Sequence, residues 1–372
     1  MNEDKATRYH RLGRRAGLLS TAWTGVIFAA LMFSGVSASL REWAAAAVGQ
    51  NALLIVALYV AVLSVLFDLT TLPFSLYRGF LLERRYGLAT ETMGHWLRDH
   101  VKAVFIGLLF AELGAAFVYA ALRRWPDTWW IVAGTGYCLV IVVLVSLAPV
   151  VLLPLFYTFK PLEKPELRER LTSLAAKAGA RIMGVYEWTL SDRTKKANAA
   201  LAGMGNTRRI LLSDTLLAEY SDDEIEVILA HELAHHVHSD IWTSISYDVL
   251  LTFAGFFAAH QALQWAVPFF GLQSAADPAG IPVVLLVAGA IGLAVKPIMN
   301  AVSRSHERRA DAYALRMTSN PPAFISAMRR LGQQNLAEEN PSRLVQAFFY
   351  THPPIGERLK AAQESASYFG AT

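Results

Sequence analysis

The residues best suited to chemistry lie in one short stretch of the chain, residues 225–238. This stretch contains the motif His231-Glu232-x-x-His235. On a helix, histidines four residues apart lie on one face, so both can bind a single zinc ion while the glutamate lies beside it. Catalytic zinc has three protein ligands and an open position, so the motif predicts one zinc ion per chain and one further ligand elsewhere.

The residues in front of this motif favour a helix. Ser221 is followed three residues later by Glu224, which is a capping box, and Asp222 and Asp223 add the negative charge that suits a helix N-terminus. Apolar residues at 225 and 227–230 then lead into the histidines. Chance is the alternative explanation, but so specific a pattern is rare in a chain of this length.

The third zinc ligand is expected just after the last apolar run, where residues 303–311 contain both acidic and basic side chains. Glu307 and Asp311 lie one helical turn apart in this segment. Glu307 would complete the two-histidine, one-glutamate set of zinc hydrolases, and Asp311 could orient a ligand from behind. Taken alone, such a run fits a solvated charged helix face, and the zinc motif is what favours the ligand.

These residues together predict peptide hydrolysis. Zinc lowers the pKa of a bound water, Glu232 takes the proton as that water attacks a peptide carbonyl, and the same carboxyl returns the proton to the leaving amine. The remaining histidines of the two segments, His236, His238 and His306, are interpreted as hydrogen-bonding or solvent-facing side chains rather than as ligands of a second metal.

The composition places this chemistry in a membrane. Of the chain's 372 residues, 54% are hydrophobic and only 17% are charged, and its mean hydropathy is +0.33. In soluble domains, about a quarter of the residues are charged. A net charge of only +4 carries no nucleic-acid signature. The single cysteine, Cys138, excludes an intrachain disulfide and a cysteine-based metal site.

Six apolar runs are long enough to span a bilayer. They cover residues 16–36, 52–72, 101–122, 129–156, 249–270 and 281–302. The segment between the fourth and fifth runs has a soluble composition, with a helix predicted at 167–177 and a strand at 185–190. A turn at 203–206 and a returning strand at 209–213 predict a small β-hairpin ahead of the zinc helix.

We therefore expect four segments in chain order. Residues 1–156 form an N-terminal membrane region of four helices, and residues 157–245 contain the zinc helix. Residues 246–302 form two further membrane helices, and residues 303–372 form a helical C-terminal part of the protease. Lys and Arg concentrate in the N-terminus, the 73–100 loop, the zinc segment and the tail, which puts all four on one side. The positive-inside rule makes that side cytoplasmic, in an inner or plasma membrane rather than the endoplasmic reticulum.

A few polar and aromatic residues fall inside or beside the apolar runs. Asp68 and Lys296 lie near run ends and are expected to reach the interface, whereas Glu112 and His260 are candidates for lining a polar interior. Trp129, at the start of the fourth run, is interpreted with its neighbour as an interfacial anchor.

The zinc motif, with Glu307-x-x-Ala310-Asp311 downstream, resembles the type I, zinc-dependent CAAX prenyl endopeptidases. The resemblance covers roughly residues 50–365 and includes several further landmarks in order. These landmarks are Leu72 to Tyr77, Glu83 to Leu88, Pro154 to Phe156, Phe159 to Leu162, Asn198-Ala199, Ile210 to Leu217, and His352-Pro353-Pro354 with Arg358. The chain has six apolar runs where the eukaryotic members have seven spans, and the shortage lies before residue 50.

The resemblance implies a mostly α-helical, polytopic membrane fold, in which the spans form a barrel around a water-filled chamber and a gluzincin-like zinc domain lies at the cytoplasmic end. The substrate would lie along an edge strand, with its backbone held by Asn198. His352 would donate to the oxyanion, and Arg358 would pair with Asp311 to brace the site. With one span fewer, closure of the chamber on the N-terminal side is open.

The function predicted is that of a membrane zinc metalloendopeptidase that cleaves near the C-terminus of a peptide or protein substrate, with or without a lipid on it. A quality-control membrane metalloprotease of broad specificity is the first alternative. A catalytically silent scaffold is another, against which the intact set of base, ligands and His352 argues. An intramembrane protease is disfavoured because polar residues flank His231. Membrane lipids are the other expected partners, and the sequence does not indicate an oligomeric state.

Overall fold

The fold is mostly helical. In the computed structural model, residues 4–203 and 207–369 are described, and they contain fourteen α-helices. The helices are α1 Lys5–Phe33, α2 Val36–Val48, α3 Ala52–Leu76, α4 Leu82–Arg85, α5 Met93–Arg124, α6 Trp129–Val151, α7 Pro165–Lys177, α8 Asp214–Glu219, α9 Asp222–Val237, α10 Asp240–Phe270, α11 Ile281–Thr318, α12 Pro321–Gln334, α13 Arg343–Phe349 and α14 Ile355–Phe369.

Four short strands form one sheet in the segment that follows α6 and precedes the zinc helix α9. They are β1 Phe159–Pro161, β2 Gly184–Trp188, β3 Ala199–Ala202 and β4 Arg209–Ser213, in the spatial order β1-β2-β4-β3. The predicted hairpin is present as the antiparallel pair β3–β4. Its turn was predicted at 203–206, of which Met204, Gly205 and Asn206 lie outside the described residues. The parallel pairing of β2 with β4 and the added strand β1 were not predicted.

Six helices in the described part of the chain are long and apolar enough to cross a membrane, as the sequence predicted. They are α1, α3 with its extension, α5, α6, α10 and α11, the last of which continues well beyond the apolar run. Each packs on the next: α1 on α3, α3 on α5, α5 on α6, α6 on α10, α10 on α11, and α11 again on α1. The six spans therefore close into a ring without a seventh, since α1 contacts both of its ring neighbours.

The end of the ring distant from the zinc helix is covered by α2, which has only 13 residues and is too short to span. It begins after Gly35, whose φ of 76° reverses the chain at the end of α1. Ser37, which is buried, donates to the carbonyl of Ala279 at 2.6 Å and shares a hydrogen bond with Tyr59. The segment before residue 50 thus contributes a lid to the barrel.

Three of the polar and aromatic residues singled out in the spans have specific contacts, and one of them is placed differently from the sequence interpretation. Trp129 is fully buried and donates to His260 Nδ1 at 3.0 Å, so the interpretation of Trp129 as an interfacial anchor was wrong. Asp68 pairs with His100 at 3.1 Å. Lys296 is exposed, lies over the ring of Phe349 at 5.4 Å and lines a cavity beside α1.

Cavities follow the inner face of α1 along the ring. Near the zinc helix, a cavity of about 760 Å³ is lined by polar and charged side chains such as Arg14 and Arg78. Towards the lid, a cavity of about 490 Å³ is lined mainly by apolar side chains, among them Phe28, Phe67 and Val118. The interior is therefore polar beside the zinc helix and apolar at the far end.

Candidate metal centre

The position of the two motif histidines is fixed by α9. The capping box predicted from the sequence forms, with the side chain of Ser221 bound to the backbone of Glu224 and the Glu224 side chain bound back to Ser221. The apolar face of α9 is buried in the largest core cluster, against α7, α11 and α12. Burial of that face leaves His231 and His235 on the side that faces α11, with ring centroids 5.2 Å apart.

The carboxylate predicted as third ligand lies between the two imidazoles. Glu307 on α11 approaches His231 Nε2 with Oε2 at 3.1 Å and His235 Nε2 with Oε1 at 3.5 Å. One ligand atom from each of the three residues falls within 4.8 Å of the others. Because α11 crosses α9 at this point, residues 72 positions apart in the sequence meet in one cluster.

The cluster fits a zinc ion. Bonds of about 2.1 Å to a tetrahedral zinc separate two ligand atoms by roughly 3.4 Å, close to the separations found here. Glu307 Oε2 is buried, and the polar atom printed closest to it among the described residues is His231 Nε2, a nitrogen that would itself bind the zinc. Both histidines hold their Nδ1 atoms in other contacts, so their Nε2 atoms remain for a metal.

His231 is oriented from behind by the pair that was proposed for this task. Asp311 Oδ1 lies 2.9 Å from His231 Nδ1, and Arg358 donates to the two oxygens of Asp311 at 2.6 and 2.8 Å. Burial by itself would lower the pKa of His231, but hydrogen bonds to Asp311 and Glu307 outweigh it and raise this pKa to about 9. In the absence of a metal, these two carboxylates therefore favour the protonated form of this histidine.

His235 is oriented by a residue that the sequence interpretation missed. Asp240 is buried and accepts from His235 Nδ1 at 2.9 Å, while Arg309 donates to its other oxygen at 2.6 Å. The two histidines therefore have matching supports, each an aspartate backed by an arginine. The available signal was an acidic residue directly after the zinc helix, but its position relative to His235 depends on Ser239, which turns the chain with φ 56° and ψ 34°.

The predicted general base and the predicted oxyanion donor also lie at this cluster. Glu232 follows His231 on α9, and the loss of water around its carboxyl raises its pKa, as suits a group that must take up a proton. His352 comes from the loop between α13 and α14 and places Nε2 3.3 Å from Glu307 Oε1. Its side chain is 59% exposed, so it is open to a substrate.

Asn198 precedes the free edge of the sheet. Its backbone carbonyl accepts from the Ser213 N–H and its own N–H donates to Ser213 Oγ, both at 2.9 Å. In an antiparallel pair the bonded positions alternate, so the N–H and C=O groups of Ala199 and Leu201 point away from β4. Strand β3 packs on α9, and the exposed side chain of Asn198 stands at the start of this open edge.

The other histidines near the cluster are not brought to it as ligands. His306 lies 3.7 Å from Asp240, and His238 packs edge-on against Tyr313. His236 is bound to the backbone of Gly179. Of the three, His236 forms the expected kind of hydrogen bond, whereas Nδ1 of His238 is buried without a hydrogen-bond partner among the described residues.

Two family descriptions match the chain. Residues 161–366 match peptidase family M48, and residues 2–158 match the region described as CAAX prenyl protease N-terminal, five membrane helices. Within residues 2–158, the described residues form four candidate spans and the short helix α2.

Similar proteins come from bacteria, fungi and plants. The uncharacterized metalloprotease YhfN of Bacillus subtilis (strain 168) is 32% identical over 342 residues, which are 91% of this chain and 80% of that protein. CAAX prenyl protease 1 of Saccharomyces cerevisiae is 29% identical over 328 residues, 82% of this chain and 71% of that protein. The crystal structure of S. mikatae Ste24p matches with a TM-score of 0.86 at 24% identity, covering 96% of this chain and 88% of that one, so the fold is shared.

Proposed function

Because this chain belongs to the CAAX prenyl protease group of peptidase family M48 and is an integral-membrane metalloprotease, we propose that it cleaves substrates near their C-terminus at a zinc site. The proposed ligands are His231, His235 and Glu307. The observation that carries the proposal is that these three side chains lie within 4.8 Å of one another, beside Glu232.

Zinc at this position would act as a Lewis acid on the peptide carbonyl and would activate a water molecule. Glu232 would accept the proton of the attacking water and pass it to the leaving amine. His352 would donate a hydrogen bond to the developing oxyanion. Asp311 with Arg358 and Asp240 with Arg309 would hold the two imidazoles with Nε2 turned towards Glu307.

The substrate backbone would add to β3 as an extra strand. The outward N–H and C=O groups of Ala199 and Leu201 supply main-chain hydrogen bonds, and Asn198 would hold the peptide beside the catalytic groups. Since main-chain bonds are indifferent to side chains, this edge also supports the alternative function, broad-specificity quality control of membrane proteins. A lipid on the substrate is part of the proposal for the first function alone.

We propose that the metal centre faces the cytoplasm and that the chain follows the four-segment organisation expected from the sequence. The basic N-terminal half of α1 contacts elements of the metal side, with Arg14 bound to Glu338 at 2.6 Å and His10 to the carbonyl of Leu336 at 2.8 Å. The positive-inside rule would place the basic half of α1 in the cytoplasm, and the elements bound to it would lie there as well. Reporter fusions at residues 240 and 363 are expected to give the same cytoplasmic signal, and opposite signals would refute this topology.

The catalytic assignment is tested by Glu232→Gln. The variant is expected to bind zinc as the wild type does, while its turnover falls about 10²–10⁴-fold because the general base is lost. Glu226→Gln on the same helix is the matched control, since Glu226 pairs with Arg170 on the outer face. Turnover of Glu232→Gln at the wild-type rate would refute the assignment.

The substrate class is tested with purified protein, in the presence of zinc and of a chelator. Farnesylated and non-farnesylated CAAX peptides are compared with an unfolded membrane protein. Zinc-dependent cleavage of the peptides supports the first function. Cleavage restricted to the unfolded protein would replace it with quality control.

A further inference from the structure

The cavity beside the metal centre is cationic. It is lined by α1, α11, α13 and the π-helical turn Tyr77–Leu81 after α3, and it reaches His352 at the metal cluster. Glu83, the one acidic residue among those that line it, already has a partner, and so does Glu338, which lies outside the lining and binds the lining residue Arg14. Glu83 pairs with Lys196 at 2.9 Å, and Glu338 binds Arg14 and Tyr350, both at 2.6 Å.

Two cations of this cavity have no acidic partner among the described residues. The guanidinium of Arg78 lies against α1 where Gly17 leaves room for it, with 3.5 Å between its central carbon and the place of a Cβ on Gly17. Lys296 is held over the ring of Phe349. A guanidinium and an ammonium without acidic partners, both solvent-accessible in the lining of one cavity, favour a carboxylate, which arginine binds through two parallel hydrogen bonds.

The position of these cations suits the far end of a short peptide. Lys296 is 11 residues before Glu307 on α11, and the cavity follows α1 from His10 to Thr21, so both separations are about 17 Å along a helix. An extended peptide covers about 3.4 Å per residue, so about five residues beyond the scissile bond would reach the cations. The cavity volume of about 760 Å³ lies within the range of sites that bind such ligands.

We propose that Arg78 and Lys296 form a subsite for the C-terminal carboxylate of the peptide that is being cleaved. This inference rests on the proposed function, because the scissile bond must lie at the metal cluster. The subsite would measure the distance from the cleaved bond to the chain end and would select substrates with a free C-terminus. An internal loop of a protein has no carboxylate to offer there.

The test compares one peptide in two forms, with a free C-terminal carboxylate and with a C-terminal amide, cleaved by the zinc-loaded full-length protein. Because hydrogen bonds to charged groups are strong, wild type is expected to prefer the acid at least about tenfold in kcat/KM. In Arg78→Gln/Lys296→Gln the ratio is expected to fall towards one, chiefly through a higher KM for the acid. Arg85→Gln, an exposed arginine after the same turn, is the matched control and should keep the ratio.

Equal cleavage of both forms by the wild type overturns the proposal, and so does an undiminished preference in the double variant. The wild-type comparison stands even where the double variant does not fold. Vesicles with phosphatidylglycerol or phosphatidylcholine test the other anionic ligand, a lipid headgroup. If phosphatidylglycerol stimulates cleavage of both peptides alike and the ratio stays near one, the cations serve lipid and the proposal is wrong.

Failure of the proposed function is recognised separately. Binding of the acid and the amide to Glu232→Gln protein needs no turnover. If the wild type cleaves neither peptide but this variant binds the acid more tightly, the carboxylate subsite stands and the proposed reaction falls. If neither form binds, both proposals fall.

Discussion

The two ends of the helical ring each bury an aspartate with an arginine, and the pairs do different work. At the lid end, Asp277 has no exposed side-chain surface, binds Arg41 at 2.6 Å, and accepts from the backbone N–H groups of Gln273 and Ala279 at 2.9 Å. At the metal end, Asp311 binds Arg358, and one of its oxygens also faces the ring of His231.

The two aspartates differ in the groups that their carboxylate oxygens contact besides the arginine. Asp277 uses both oxygens on partners that belong to the loop and to α2, so its pair can only hold the lid in place. Asp311 connects Arg358 to an imidazole whose other nitrogen faces Glu307, so the same pair fixes a ligand of the proposed zinc. Whether a buried ion pair only holds the fold or also positions a metal ligand therefore depends on the third group that the aspartate contacts.

Breaking the lid pair should have the largest effect, and on stability alone. Asp277→Asn leaves Arg41 without its charge partner, and removal of one side of a buried pair costs about 3–5 kcal/mol in the free energy of unfolding. Thermal inactivation in detergent is expected at a clearly lower temperature, with unchanged activity per folded molecule. Asp127→Asn, an exposed aspartate at the same end, is the control. Equal inactivation temperatures for the two variants would contradict the structural role.

The pair at the metal end should affect metal binding next. Asp311→Asn is expected to weaken zinc affinity about 10–100-fold, because His231 loses the partner that fixes its ring. Competition with a chelator of known affinity measures the change. Asp277→Asn is the comparison variant and should bind zinc as the wild type does. If both variants lose the same affinity, the distinction between the two pairs is wrong.

The third prediction concerns how the protonation of His231 changes zinc affinity with pH. Its folded-state pKa of about 9 lies above the usual value near 6.5, so the stability it gives the metal-free protein is present below 6.5 and lost as the pH rises through 9. Zinc must displace this proton, and its affinity should rise about tenfold per pH unit from 7 until it levels off near 9. Calorimetry in buffers of different ionisation enthalpy would count the protons released. An affinity independent of pH between 7 and 9 would exclude a protonated His231.

Much of the site could be predicted because its signals are local. The zinc motif, the capping box at Ser221 and the charged segment around Glu307 each depend on residues within one or two helical turns. Asp240 could not be predicted in the same way. On a continuous helix, a residue five positions after His235 points about 140° away from it. It meets the imidazole only because α9 ends at Val237 and Ser239 adopts a left-handed conformation before α10 begins.

The same contrast holds for the fold. The six spans follow from the length and hydropathy of single segments, and the β3–β4 hairpin follows from two strands and a turn. The parallel pairing of β2 with β4 joins strands separated by β3, and no local pattern specifies it. Closure of the ring through α1, with α2 as a lid, likewise depends on contacts between distant segments.

The sequence by itself determined the membrane setting and was enough to predict the zinc chemistry and its three proposed ligands, because hydropathy and helical periodicity act over short stretches of chain. The tertiary structure decided which polar side chains meet. It brought Asp240 to His235, closed the ring with six spans, and left Arg78 and Lys296 without an acidic partner in residues 4–203 and 207–369, in a cavity that reaches His352. These outcomes depend on how helices far apart in the sequence pack, which the order of residues specifies only through the whole fold.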